Sequence, residues 1–405
     1  MMAETPVLSI SGARQVGKST LMAQLLKDQP ARIVNLDSQV ARASAEADPD
    51  AFADQYPSGT LAIDEIQRVP KLFLSIKNAL EKDRRPGRFV ITGSSNLATL
   101  KGAEESLAGR AQTLHMRGLS QGERRGVCED FPRFVWTLDK GAELREYPDY
   151  TRDDYLCMVQ ASGFPEVRDA APRTLNRWLA NYLDRVLTRD AQEVTGIQYP
   201  DRLRQLLEYI ASLGTAEFVA AGISRAIDLP ARTVPTYLDA LASVYLVDVL
   251  PAWGTNLAKR AVSRPKVFLQ DTGAAAYLAG VDAEAMSTDI SSVLTGGLVE
   301  SFVANELLKQ SAWSTVDFRL FHFRDRAGRE VDLVMENRRR EVVGIEVKAT
   351  STVKASHFKG LEYLRDQAGD RFRAGVVLYT GQAALPFGDR LWALPMASLW
   401  DHEVA

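Results

Sequence analysis

The sequence has few residues suited to metal binding or cross-linking: two cysteines, Cys128 and Cys157, and four scattered histidines. Two distant cysteines are too few for a disulfide framework or a cysteine-based metal site, and the histidines lack ligand spacing. No stretch approaches the ~20 apolar residues that span a bilayer. The first residues have neither the basic nor the apolar region of a signal peptide. We therefore expect a cytoplasmic protein of a reducing compartment, without membrane association.

The chain also lacks a strong net charge. Its 49 Lys and Arg residues nearly balance 52 Asp and Glu residues, which gives a formal net charge of −3. This balance provides no overall electrostatic attraction to nucleic acid, so any basic surface for DNA or RNA must be local. With 405 residues, the chain is long enough for two or three domains, each with its own core.

Hydrophobic periodicity divides the chain into three parts. In residues 1–130, short apolar strands alternate with amphipathic helices, which predicts a mainly parallel α/β sheet. Helical spacing dominates residues 131–255, and an α/β pattern returns in residues 256–405. The predicted fold class is therefore α/β, with a parallel-sheet domain, a helical or winged-helix middle and a C-terminal α/β domain.

The middle region contains a pattern typical of a helix-turn-helix. Residues 218–227 and 233–244 have helical spacing around a short turn, with Thr233 as the expected cap, and residues 245–250 could form a wing strand. The second helix carries Asp239 and no Arg or Lys, which disfavours contact with a phosphate-rich groove. A packing or lid module is therefore preferred over a DNA reader.

A glycine-rich segment follows the first apolar strand and precedes a helix. Its sequence, Gly-Ala-Arg-Gln-Val-Gly-Lys-Ser, has the spacing of a Walker A motif in the required context. Lys18 is expected to contact the β- and γ-phosphates of ATP, and the Ser19 hydroxyl is expected to bind Mg²⁺. The predicted nucleotide-binding residues are Gly12, Ala13, Arg14, Gln15, Val16, Gly17, Lys18, Ser19 and Thr20.

Two acids at the end of a later apolar strand complete this prediction. Asp64 and Glu65 close the segment Leu-Ala-Ile-Asp-Glu. Asp64 is expected to hold Mg²⁺ through water, and Glu65 to orient or deprotonate the attacking water. A strand that ends in two solvated acids would be the simpler interpretation of this pair alone. Its position after a Walker A motif favours the Walker B interpretation.

A second acidic arrangement lies in the last third of the chain. A hairpin centred near Arg339 would place Asp332 opposite Glu346, with Lys348 on the same face as Glu346. Opposed carboxylates repel each other unless a cation lies between them. The pattern matches the D…ExK arrangement of metal-dependent nucleases, in which a divalent ion activates water. A solvated hairpin face is the alternative interpretation.

Nucleases of this kind usually draw a further acid from the preceding helix. Glu300 and Glu306 are the candidates in this sequence. They are six residues apart and do not fully share a helical face, so we expect only one to join the site. The predicted C-terminal metal ligands are Glu300, Asp332 and Glu346, with Lys348 beside them.

The order of these motifs resembles that of bacterial and archaeal AAA-type ATP-binding proteins that carry a C-terminal domain of unknown function. The resemblance runs nearly end to end and is carried by residues 12–20, 62–68, 92–96, 107–110, 162–166, 265–273, 297–307, 330–333 and 345–348. It implies a P-loop, AAA-like ATPase domain with ATP and Mg²⁺ as cofactors. It also implies a helical or winged-helix middle and a C-terminal domain similar to the restriction-endonuclease-like PD-(D/E)xK nucleases.

The resemblance implies three further roles in the ATPase part. Ser94 or Asn96 would sense the γ-phosphate, and Arg110 would be an arginine finger, in cis or on a neighbouring subunit of a homo-oligomer. Relatives usually carry a helical segment before the first strand that helps to cover the base. Here the first strand begins at Val7. We therefore expect either an incomplete cover over adenine or a misassigned start site.

Two functions remain open at this point. The leading hypothesis is a Mg²⁺-dependent ATPase whose nucleotide state controls a nuclease-like or nucleic-acid-binding C-terminal domain, with DNA or RNA as partner. The alternative is a nucleotide-dependent switch that binds a protein partner through an inactive nuclease-like domain. The basic residues near the acids modestly favour the first hypothesis: Arg324, Arg326, Arg329, Arg338, Arg339, Arg340, Lys348, Lys354 and Lys359. Convergence of the three acids on one site would also favour it.

Overall fold

The computed structural model describes residues 1–94, 106–138, 146–197, 199–257, 260, 263–289 and 292–402. Within these ranges the fold is α/β, and no helix is long and apolar enough to cross a membrane. The strands are β1 (Val7–Ser11), β2 (Ala31–Asn35), β3 (Thr60–Asp64), β4 (Phe89–Gly93), β5 (Ala111–His115), β6 (Ala216–Glu217), β7 (Val247–Leu250), β8 (Lys266–Leu269), β9 (Phe318–Arg324), β10 (Glu330–Asn337), β11 (Val342–Lys348), β12 (Phe372–Tyr379), β13 (Leu385–Pro386) and β14 (Leu391–Pro395). The helices are α1 (Lys18–Leu25), α2 (Gln39–Ala47), α3 (Pro49–Ala53), α4 (Leu72–Lys82), α5 (Gln121–Arg125), α6 (Phe131–Thr137), α7 (Arg152–Gln160), α8 (Pro172–Arg185), α9 (Ala191–Thr195), α10 (Pro200–Leu213), α11 (Ala220–Ile227), α12 (Val234–Ser243), α13 (Thr272–Ala279), α14 (Ala283–Thr288), α15 (Val293–Gln310) and α16 (Lys359–Ala368).

The N-terminal sheet is parallel, with the strand order β2-β3-β4-β1-β5. The apolar runs of β1, β3 and β4 are buried along their whole length, because helices cover both faces of the sheet. Parallel strands bring their carboxyl ends to one edge. The Walker A loop after β1, Asp64 at the end of β3 and Ser94 after β4 therefore meet there.

The middle of the chain is helical, as predicted. Helix α8 runs through a π-helical turn, Val186–Asp190, into α9, and such turns are rare and often lie at functional sites. Helices α11 and α12 match the predicted helix-turn-helix, and β7 pairs with β8 as an antiparallel ribbon. Thr233 is the N-cap residue of α12, as expected, although its side chain makes no capping hydrogen bond. The winged-helix assignment and the division at residues 130 and 255 stay predictions.

The C-terminal sheet has the order β13-β14-β12-β11-β10-β9. Strands β9, β10 and β11 form an antiparallel meander after α15, and β12 returns through α16 to lie parallel to β11. The β10–β11 register pairs Leu333 with Ile345, so the next position along places Asp332 opposite Glu346. The predicted hairpin register is confirmed. Apolar clusters cover both faces of this sheet, and one continues into the middle helices.

Candidate functional site

The Walker A segment forms a tight loop between β1 and α1. Gly12 and Gly17 have φ angles of 157° and 102°, in a region that favours glycine. A Cβ on Gly12 would lie only 2.1 Å from the Met116 carbonyl oxygen. Helix α1 begins at Lys18, so the N–H groups of its first turn have no intrahelical acceptor. The loop and these N–H groups together form a cradle suited to phosphate.

Lys18 lies inside this cradle. Its Nζ donates hydrogen bonds to the carbonyl oxygens of Gly12, at 3.0 Å, and Ala13, at 2.8 Å. The residue is only 5% exposed, and this burial lowers the pKa of its ammonium to about 8. A phosphate entering the loop would therefore meet a cation that is already in place and only partly satisfied by neutral carbonyl groups.

The predicted magnesium-binding residues are in direct contact. Ser19 Oγ donates to Asp64 Oδ2 at 2.8 Å, and Asn35 Nδ2 donates to the same oxygen at 3.3 Å. Thr92 Oγ1 donates to Asp64 Oδ1. A hydroxyl and an oriented carboxylate are the oxygen donors that Mg²⁺ prefers, so these residues fit the ion. Asn35 and Thr92 were not predicted, although both lie at the carboxyl ends of strands that flank β3.

Glu65 and Ser94, two of the predicted catalytic residues, are in direct contact. Glu65 has a left-handed backbone with φ 58°, and its N–H donates to Thr92 Oγ1 at 3.2 Å. Its Oε2 accepts hydrogen bonds from Ser94 Oγ, at 3.1 Å, and from Gln67 Nε2. Gln67, which sequence reasoning missed, also donates to Ser94 Oγ at 3.0 Å. The other predicted sensor, Asn96, lies outside the described residues.

Arg110 cannot act as an arginine finger within its own chain. It lies directly before β5, where its carbonyl oxygen accepts from the Val7 N–H at 3.2 Å. Its guanidinium donates to the Ala108 carbonyl oxygen at 3.4 Å. The phosphate loop follows the opposite end of β1, roughly 16 Å away along a five-residue strand. A role on a neighbouring subunit stays a prediction.

Arg14 and Gln15 point away from the phosphate cradle and contact the middle of the chain. Arg14 donates two hydrogen bonds to the Asp190 carboxylate, at 2.8 and 3.1 Å. Gln15 Nε2 donates to Glu166 Oε2 at 3.3 Å. Asp190 ends the π-helical turn, and 176 residues separate it from Arg14, so no local pattern could predict this pair. The pair lines a cleft of about 250 Å³ that also includes Gln67 and Ser94.

Asp190→Asn is expected to destabilise the nucleotide-free protein. The Arg14 and Asp190 side chains are only 16% and 9% exposed, so the substitution leaves a largely buried guanidinium without its carboxylate. We expect a cost of about 1–3 kcal/mol, seen as a lower thermal midpoint. Asp184→Asn is the matched control, because its ion pair with Arg204 is exposed and worth about 0.5 kcal/mol or less. Equal midpoints for the two variants would show that Arg14 does not depend on Asp190.

The predicted C-terminal acids also converge. The Asp332 carboxylate accepts from the Val347 N–H at 2.8 Å, and Lys348 Nζ donates to Glu346 Oε1 at 2.7 Å. Glu300 joins them through Lys266, whose Nζ lies 2.7 Å from Glu300 Oε1 and 4.0 Å from Asp332 Oδ1.

Of the two candidate helix acids, Glu300 is therefore the one near the hairpin. Glu306 instead accepts from the Gln121 N–H, at 2.8 Å, and pairs with Lys309 at 2.6 Å.

Burial governs the electrostatics of this acidic centre. Burial, and then the Asp332 charge, raise the pKa values of Glu300 and Glu346 well above the usual range of a carboxyl. Burial opposes the charged form of Lys266, but Glu300 and Asp332 raise its pKa overall. Within the described part of the chain, no three His, Cys, Asp or Glu side chains form a group that could hold a metal. A metal ion at these acids stays a prediction.

The basic residues around the acidic centre are partly engaged with other acids. Arg324 pairs with Glu330 at 3.6 Å, Arg329 with Asp325 at 2.7 Å, and Arg338 with Asp317 at 2.5 Å. Four others are exposed: Arg326, Arg339, Lys354 and Lys359. The local positive charge available to nucleic acid is therefore smaller than the sequence suggested.

Comparison with known proteins adds to this geometry. Residues 4–124 match a family described as an AAA domain. The match supports an AAA-type ATP-binding protein. Residues 152–285 and 295–399 match two domains of unknown function, DUF8612 and DUF4143.

Two relatives and one solved structure resemble most of the chain. The uncharacterized proteins Rv2008c of Mycobacterium tuberculosis and Mb2031c of Mycobacterium bovis are each 29% identical to it over 392 residues, covering 96% of this chain and 80% of the relative. The Walker-type ATPase PABY2304 of Pyrococcus abyssi has 14% identity and a TM-score of 0.41, over 68% of this chain and 91% of its own.

Proposed function

We propose that this protein is a Mg²⁺-dependent ATPase whose nucleotide state controls its C-terminal domain. The observation that carries the proposal is the arrangement at the carboxyl edge of the parallel sheet. Asp64 is oriented by the Ser19 and Thr92 hydroxyls, and Glu65 is held beside Ser94. This arrangement supports Asp64 as a metal ligand, Glu65 as the base and Ser94 as the sensor, all next to the phosphate loop.

Each residue has a separate role in the proposed hydrolysis. The first-turn N–H groups of α1 and the Lys18 ammonium bind the phosphates, and Ser19 and Asp64 hold Mg²⁺. The ion neutralises charge on the phosphate oxygens. Glu65 accepts a proton from the attacking water, for which its Oε2 must release a hydrogen bond from Ser94 or Gln67. Exchange of that hydrogen bond would let Ser94 respond to the γ-phosphate.

The sheet order also indicates where the base would bind. The residues expected near the γ-phosphate are Asp64, Glu65 and Ser94. They lie at the ends of β3 and β4, on one side of β1, whereas β5 lies on the other side of β1. A cleft of about 250 Å³ opens there, lined by residues that include Met116 and Tyr245. A nucleoside directed into it would be covered partly by the segment leading into β7. This supports a base cover that does not depend on residues before β1.

Two ion pairs support control of the rest of the chain by the nucleotide. Arg14 of the phosphate loop pairs with Asp190, and Arg117, just after β5, donates to both oxygens of Asp248 on β7 at 2.6 and 2.9 Å. One contact lies on the γ-phosphate side and the other on the proposed base side. A nucleotide that changed the loop or the base cleft would therefore act on α8–α9 and on the β7–β8 ribbon.

The C-terminal domain has two candidate outputs. The α15-β9-β10-β11-α16-β12 order and the convergence of Glu300, Asp332, Glu346 and Lys348 support a restriction-endonuclease-like architecture, with DNA or RNA as a possible partner. The position of Lys266 among the acids favours the second output, in which the domain binds a protein partner without cleaving nucleic acid.

The test is ATP hydrolysis by the full chain, measured with Mg²⁺ and with excess EDTA, each with and without duplex DNA, single-stranded DNA or RNA. We expect phosphate release that requires Mg²⁺. Stimulation by one nucleic acid would favour the first output, and its absence the second. No hydrolysis above background under any condition would overturn the ATPase proposal.

A further inference from the structure

Lys266 is the residue that distinguishes the C-terminal acidic centre from a typical metal site. It begins β8, a strand of the small β6-β8-β7 sheet rather than of the C-terminal sheet that carries Asp332 and Glu346. Its side chain is 5% exposed, and its Nζ lies 2.7 Å from Glu300 and 4.0 Å from Asp332. A buried ammonium group therefore lies between two of the three predicted metal ligands.

The remaining contacts of the acids also involve groups of this chain. Lys348 neutralises Glu346 at 2.7 Å, and the second Asp332 oxygen accepts from the Val347 N–H. Two ammonium groups thus balance most of the charge of three carboxylates. A divalent ion that used Glu300 and Asp332 together would have to displace the Lys266 ammonium from between them. Neutral His322, whose pKa is lowered to about 4 by burial and then by the Lys266 charge, lies near that ammonium.

We propose that the Lys266 ammonium is the resident cation of the acidic centre, in the position that a metal-dependent nuclease gives to a divalent ion. The predicted metal ligands then bind a strand of this chain instead of a metal. This proposal goes beyond the ATPase function and does not depend on ATP turnover.

The strand that carries Lys266 indicates what its contact with the acids does in the fold. Strand β8 pairs with β7, where Leu250 is opposite Lys266, and β7 also carries Asp248, the partner of Arg117 beside the ATPase sheet. The acidic centre therefore contacts one end of the β7–β8 pair, and Asp248 near the other end contacts the nucleotide-binding part. In this arrangement the acids anchor the ribbon to the C-terminal domain.

The experiment counts Mn²⁺ bound to the full chain without nucleotide, by electron paramagnetic resonance of the free ion. Wild type and Asp332→Asn are expected to bind the same amount, because no ion uses Asp332 while Lys266 is present. Lys266→Met should gain about one Mn²⁺ per chain, because the buried carboxylates of Glu300 and Asp332 lose the ammonium group between them. In the described part of the chain, Glu346 Oε2 also has no hydrogen-bond partner, so it is a further oxygen donor for the ion. The Lys266→Met, Asp332→Asn double variant should lose that gain.

Lys309→Met is the matched control. Lys309 is also a largely buried lysine, paired at 2.6 Å with Glu306 on the same helix as Glu300, and in the described part of the chain Glu306 is the acid within 4 Å of its Nζ. It should gain no Mn²⁺. The proposal is overturned if Asp332→Asn loses an ion relative to wild type, or if folded Lys266→Met gains none. The first comparison does not involve Lys266→Met, so it decides the matter even if that variant fails to fold. ATP hydrolysis by the same samples reports separately on the ATPase proposal.

Discussion

Glu65→Gln is expected to keep ATP bound while lowering kcat by about 10²–10⁴-fold, the usual contribution of a general base. Glutamine has the size of glutamate and can still accept a hydrogen bond from Ser94, so the geometry around Asp64 is preserved. It cannot accept the proton of the attacking water. The Mg²⁺-binding contact between Ser19 and Asp64 does not involve Glu65, which is why affinity is retained.

The measurement is steady-state phosphate release, with ATP affinity determined separately by titration. Glu46→Gln is the matched control, since Glu46 is an exposed acid in the cleft that is lined by Ser94 and Gln67, the hydrogen-bond partners of Glu65. It should change neither kcat nor affinity appreciably. If Glu65→Gln kept the wild-type kcat, Glu65 would be a solvated acid and not the general base. If Glu65→Gln lost ATP binding, Glu65 would instead contact the phosphates or the metal ion.

The parts of the site that the sequence predicts are those encoded within a few consecutive residues. The Walker A spacing defines one loop, and the β10–β11 register follows from a turn near Arg339 and from the two-residue repeat of a strand. Asp64 and Glu65 follow the same logic, because the end of a buried parallel strand fixes which edge of the sheet they reach.

Two of the missed residues act across long separations. Asp190 is 176 residues from Arg14, and Lys266 reaches Glu300 on α15 from the small β6-β8-β7 sheet. No periodicity links such positions, and charge alone does not distinguish Lys266 from the many exposed lysines. Arg110 lies far from the phosphate loop of its own chain for a topological reason. It precedes β5, whereas the loop follows β1, and because these strands are parallel the two positions lie at opposite edges of the sheet.

Some segments that carry the family resemblance have a structural role. Ser162 Oγ and the Gly163 N–H donate to Asp271 Oδ2, at 3.0 and 2.7 Å, which joins residues 162–166 to residues 265–273. A Cβ on Gly273 would lie 2.8 Å from the Gln160 carbonyl oxygen, so this junction admits no side chain there. The order of the motifs thus indicated the order of the domains, but it did not distinguish residues that join these domains from residues with a catalytic or binding role.

Lys18→Ala is expected to weaken ATP binding by roughly 10²–10⁴-fold. A hydrogen bond to a charged group contributes about 1.5–3 kcal/mol, and Lys18 is expected to make two of them, to the β- and γ-phosphates, so the loss is about 3–6 kcal/mol. Each ~1.4 kcal/mol is a factor of ten in affinity. Burial strengthens the effect, because the ammonium is 5% exposed and water cannot readily replace it.

Equilibrium titration with ATP and with AMP would check this expectation. The loss should be large for ATP and small for AMP, which lacks the β- and γ-phosphates. Lys27→Ala is the matched control, because Lys27 is exposed just beyond the end of the same helix and should leave both affinities unchanged. Among the described residues, Lys18 Nζ donates to the Gly12 and Ala13 carbonyl oxygens of its own loop, so the fold should not depend on it. If a correctly folded Lys18→Ala protein bound ATP with wild-type affinity, the loop would be excluded as the phosphate site. The phosphates would then bind equally well without the buried Lys18 ammonium.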